Sequence, residues 1–188
     1  MKEKSFERQL SETEIAKKES SEKWLSIITL AFGIALLPPI WAVLAPYAGI
    51  TTGAVALICA AIYVANGNKI EDSVTISVGF LCGDLWAVLA LKLMAVMTFN
   101  PDFELFLTLF ILGGIAVITA SLLSRFIYLP AWLCGWAIGL TIMAPVGLEK
   151  IGSLPIQIGV AMLAGVWYVG AGVDWFQRLL VKAIKKKK

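Results

Sequence analysis

The chain has 188 residues, 59% of them hydrophobic and 15% charged, and its mean hydropathy is +0.84. A soluble domain cannot cover that much apolar surface, so the composition excludes an ordinary globular protein and points to an all-α integral membrane protein. No histidine occurs, which removes the commonest general base and metal ligand; the chain is not read as an enzyme, and no cofactor or metal is predicted.

A charged arm comes first. Residues 1–23 carry six Lys/Arg and six Glu, too mixed in sign for a signal peptide, and the apolar run that follows is too long for one. The arm is expected in the cytosol. Ser11 to Glu14 has the form of a capping box, and Glu14 with Lys18 and Glu19 with Lys23 are i,i+4 pairs, so a short helix or a solvated arm is expected.

Crossing the hydrocarbon core takes about 20 apolar residues as a helix. Six stretches reach or approach that length: 24–48, 50–65, 74–99, 103–123, 128–148 and 156–181, the second being short. They define a six-span domain over 24–181, followed by a polybasic cytosolic tail over 182–188. With the N-terminus inside, the inner segments hold fourteen Lys/Arg and the outer loops hold one, Lys150. That asymmetry places both termini in the cytoplasm. The tail lysines, with Arg178 and Lys182, are expected against anionic headgroups of the bilayer and not against nucleic acid.

"WAVLA" occurs twice, at 41–45 and 86–90, with a looser copy at 136–140. Trp41, Trp86 and Trp136 thus recur at about the length of one helical hairpin, which predicts three tandem hairpins, each closing with a helix rich in small residues. The closing stretches are "GAVALICAA" at 53–61, "LGGIAVITAS" at 112–121 and "IGVAMLAGVWYVGAG" at 158–172. Gly79 with Gly83, and Gly135 with Gly139, form small-xxx-small seams in spans three and five, suited to close helix packing in lipid.

Asp84 lies about midway along span three, where a carboxylate costs roughly 2.5–3.5 kcal/mol. A protonated acid, a partner in the bundle or a water-filled cavity must compensate. Lys92 is eight residues on, roughly 12 Å along the helix and about 80° around it, so direct pairing is not expected; its stem reaches toward the outer interface or a vestibule. Pro38 and Pro39 remove two amide donors within span one, and a kink or break is expected there beside Trp41. Trp24 and Trp175 sit where an interfacial belt belongs, whereas Trp41, Trp86, Trp136 and Trp167 lie deeper, lining a pore or filling a core. Asp174 is placed to pair with Arg178.

Four stretches carry a family resemblance: Pro39 to Ala42 in span one, "GDLWAVLAL" at 83–91, "LPAWLCGWAIGL" at 129–140 and the closing stretch at 158–172. In order and spacing they resemble the bacterial inner-membrane family catalogued as domain of unknown function 1097, over roughly residues 34–180. The resemblance implies a multi-pass protein of the plasma membrane and carries no activity or site residues with it. From the residues alone, the chain is read as a channel or permease for a small neutral or weakly polar solute. Asp84, Trp41, Trp86, Trp136, Pro38, Pro39 and Lys92 are the candidate path residues, and a homo-oligomer is compatible with so few spans. The alternative is a non-transporting interaction or structural protein built on the glycine seams and the charged arm.

Overall fold

A computed structural model describes the backbone of residues 2–186 and the side chains of residue 17 and residues 19–186. Its regular elements are all helical: α1 (Lys2–Leu44), α2 (Val55–Ala65), α3 (Ser73–Val96), α4 (Pro101–Leu122), α5 (Leu129–Met143), α6 (Leu154–Ala164) and α7 (Gly172–Lys186). Between α6 and α7 the chain passes through a π-helical segment, Gly165–Ala171, and short 3-10 turns occupy Ala45–Ala48, Ile70–Asp72 and Leu148–Lys150.

Four helices, over Glu19–Ala48, Ile70–Val96, Pro101–Leu122 and Leu154–Lys186, are long and apolar enough to cross a membrane. The sequence predicts six crossings. The fifth stretch ends sooner than its hydropathy indicates: α5 has 15 residues, about 22 Å, against about 30 Å of hydrocarbon. Pro145 removes a ladder donor just past the end of α5, and Gly147 turns the chain with φ +79°, a conformation that favours glycine. With 11 residues, α2 is shorter still.

Of the kink or break expected at the proline pair, the break does not occur, and the capping-box start is also corrected. The helix does not break at Pro38 and Pro39, both of which lie inside α1. Proline holds φ near its helical value and removes one donor, so two in succession cost ladder bonds without forcing an end. Ser11 is also inside α1, so it is not an N-cap; the helix begins well before the capping-box pattern.

The chain divides into two compact units, 1–36 with 173–188, and 37–172. In the first, α1 and α7 meet through Phe32 and Phe176, stacked with ring centroids 6.1 Å apart. Gly33 makes room for Val173, whose methyl carbon would lie 3.1 Å from a Cβ there. Gln177 Nε2 donates to the Ser26 carbonyl at 2.9 Å.

In the second unit α3 is central. Its most extensive neighbour is α5, with α6 and α4 also against it, and α2 packs on the π segment. Phe80, Ile76, Ala87, Met143, Ile158 and Met162 are fully buried in the resulting core. By contrast α4 leaves Phe103, Phe106, Phe110, Ile118 and Leu122 exposed, the pattern of a helix that faces lipid.

Candidate functional site

Both glycine seams lie at the α3–α5 contact. A Cβ on Gly83 would overlap the Trp132 carbonyl oxygen and stand 2.5 Å from the Trp136 amide nitrogen. A Cβ on Gly79 would stand 2.6 Å from Tyr128 O, one on Gly135 2.5 Å from Phe80 O, and one on Gly139 2.5 Å from Ala87 Cβ. No side chain fits between these backbones. The approach is close enough for Tyr128 N to donate to Thr75 O at 3.2 Å across the two helices.

This tight contact holds Asp84 in place on the neighbouring face of α3. The residue is 4% exposed, and its Oδ1 is buried without a hydrogen-bond partner among the described residues. Its carboxylate sits where side chains are missing on both flanks: Cβ atoms on Gly139 of α5 and Gly159 of α6 would lie 3.5 Å from Oδ1 and 3.9 Å from Oδ2. Between α3 and α6 the carboxylate lines a groove of about 350 Å³, whose other walls are Leu81, Leu85, Pro155, Ile156, Val160 and Leu163. An unpaired acceptor in an apolar groove is costly unless a donor, a proton or water meets it.

Helix lengths fix how deep this point lies. Asp84 is twelve residues from the end of α3 at Val96, about 18 Å. Gly139 is only four residues from the end of α5, and Gly159 five from the start of α6, about 6 and 7.5 Å. The short helices therefore stop just above Asp84, and turns take over. There Gln157 Oε1 accepts from Thr51 N and Oγ1 at 3.1 and 2.9 Å, and Gln157 Nε2 donates to Ser153 Oγ at 2.9 Å. This polar clasp closes the end of the unit nearest Asp84.

On the other side of Asp84, α3 continues a buried polar row. Ser73, Ser77 and Asp84 are spaced i, i+4 and i+11, within about 20° of one line on the helix, and all three are buried. Ser77 Oγ accepts from Trp167 Nε1 at 3.0 Å, and Ser73 Oγ is buried without a partner among the described residues. Trp167 belongs to the π segment, and such irregular turns recur at functional sites because they re-aim side chains. Gly165 and Gly170 seat that segment against α2: a Cβ on the first would overlap Ala56 O, and one on the second would lie 2.8 Å from the Tyr63 ring. Fully buried Phe80 lies near the same line, between Ser77 and Asp84.

The other candidates are dispersed. Trp41 Nε1 donates to Gly53 O at 3.0 Å and its ring lies 6.4 Å from that of Tyr168. Trp86 Nε1 donates to Leu112 O at 3.1 Å, and the ring meets Trp132 edge to face at 5.1 Å. Both acceptors open small-residue stretches, the ones beginning at Gly53 and Leu112. Trp136 Nε1, by contrast, is buried with no partner among the described residues; its ring points toward Gly113 of α4, where a Cβ would lie 3.8 Å away. None of the three tryptophans lines the Asp84 groove. Pro38 is buried and Pro39 exposed, with no broken helix beside Trp41. Lys92 is exposed on the outward stripe it shares with Leu85 and Leu89, and among the described residues it makes no ion pair with Asp84.

Sequence reasoning missed Ser73 and Ser77 and did not link Gln157 or Trp167 to the site. The signal for the serines is their helical spacing from Asp84; Ser77 lies inside the span 74–99 and Ser73 one residue before it. No curated protein and no solved structure matches the chain. One family model does match, over residues 31–178: the chain belongs to the family described as Protein of unknown function (DUF1097).

Proposed function

We propose that residues 37–172 form a channel or permease for a small neutral or weakly polar solute, with Asp84 as the polar point of its path. One observation carries this reading: a carboxylate 4% exposed, with an unpaired oxygen, beside a groove otherwise apolar. A charge-poor wall with one acceptor suits a solute that offers a hydrogen-bond donor, and suits a bare ion poorly. The row Ser73, Ser77, Asp84 supplies acceptors over about 16 Å of α3, and Phe80 is the residue that must yield for a solute to pass between them.

In this reading the protein lies in the plasma membrane with both termini in the cytoplasm, which the charge asymmetry supports. The lipid-facing surface of α4 also leaves room for a second copy. The alternative, a membrane interaction protein, loses one of its two supports, because Gly79, Gly83, Gly135 and Gly139 are filled by contacts within the chain. The test is stopped-flow light scattering on proteoliposomes challenged with a panel of small neutral solutes. Entry faster than in empty liposomes supports permeation; no excess flux from folded protein favours the alternative.

A further inference from the structure

The first unit carries a second candidate site, separate from Asp84. A groove of about 550 Å³ runs between α1 and α7, lined by Ser26, Gln177, Arg178, Val181, Lys182 and Lys185. Its level is set by two exposed tryptophans, Trp24 (61%) and Trp175 (64%), which bracket the Ser26–Gln177 hydrogen bond and are the residue type enriched at membrane interfaces. From that bond the groove extends past Arg178, Lys182 and Lys185, about 12 Å along α7, into the headgroup layer.

Two acids pair with cations that line it. Asp174 pairs with Arg178 at 2.9 Å, and Glu22 of α1 pairs with Lys185 at 2.9 Å. These pairs hold two cations at the groove's edges. Lys182 lines the groove and makes no ion pair among the described residues. Val181 and the lysine stems give the groove an apolar wall, the shape that receives glycerol and the first methylenes of an acyl chain below a phosphate.

We propose that this groove binds the phosphate-bearing headgroup of an anionic membrane lipid, with Lys182 as its principal cation and Ser26 and Gln177 as polar neighbours. The site is more specific than the attraction of a lysine tail for a charged surface. A cation at that surface contributes about fivefold to lipid affinity, and the groove concentrates the effect on residues that line it.

Native mass spectrometry of the full chain, titrated with phosphatidylglycerol or phosphatidylcholine, tests this. Phosphatidylglycerol is expected to be retained preferentially, with about fivefold weaker binding in Lys182→Ala, recovery in Lys182→Arg and little change in Lys186→Ala, which removes a lysine outside the groove. Equal losses in Lys182→Ala and Lys186→Ala would reduce the effect to diffuse attraction by the tail and overturn the proposal, as would equal retention of phosphatidylcholine. Inorganic phosphate serves as the competitor. If it displaces phosphatidylglycerol at millimolar concentration, the groove is a site for a soluble anion and the lipid assignment fails.

Discussion

α3 presents two unlike faces to its neighbours. Toward α5, Gly79 and Gly83 bring backbone against backbone, with no room for a side chain between them. Elsewhere the same helix buries Ser73, Ser77 and Asp84: Ser77 meets Trp167 of the π segment, and Asp84 lines a groove toward α6. The first face gives rigidity, because close-packed backbones cannot shift without overlap. On the second, Ser73 Oγ and Asp84 Oδ1 remain buried and unpaired among the described residues at a standing cost, which the rigid face allows the bundle to tolerate. A functional site supported by tight packing next to it is a recurring arrangement.

Substitutions should separate the two faces. The largest effect is expected at Gly83→Leu, where a side chain must displace the α5 backbone; little folded protein should be recovered. Gly83→Ala, with overpacking worth about 1–3 kcal/mol, should lower the melting temperature in detergent. Gly114→Ala, where a Cβ meets nothing within 4 Å, should not. Next is Asp84→Asn, which keeps the shape and removes the acid. Solute entry should fall about tenfold or more while the melting temperature holds or rises, because a costly buried group has been relieved. Ser77→Ala leaves the Trp167 indole without its acceptor, so a loss of about 1 kcal/mol and a fewfold drop in flux are expected from melting and scattering measurements. Lys92→Ala, on the exposed stripe, should change neither by more than a factor of two.

How much of this was legible in the sequence follows from which features have a period or a cost. The glycine seams could be read because spacing by four marks one helix face, and Asp84 because a lone acid in an apolar run is expensive. Ser73 and Ser77 carry little signal because serine is cheap within a helix, and Ser73 also falls one residue before the span 74–99. Hydropathy extended the fifth span to 148, although Pro145 and Gly147 end its helix earlier. The π segment was beyond sequence reasoning, since a change of hydrogen-bond register leaves no mark in hydropathy. At Pro38 and Pro39 a local rule was applied too strongly: two lost donors did not end α1. Trp41 and Trp86 behave alike, each donating to a carbonyl of the following small-residue stretch. At Trp136 the indole is left unbonded among the described residues, so letter similarity did not extend to equal bonding.

The contrast between the faces is tested most directly by solute entry per folded molecule, measured in proteoliposomes of the wild type, Asp84→Asn and Gly83→Ala at a temperature where all three are folded. The two-face account predicts that Asp84→Asn loses most of the flux and that Gly83→Ala, though less stable, retains it. Wild-type flux in Asp84→Asn would contradict the account, because the path would then not pass the one buried carboxylate on the polar face of α3.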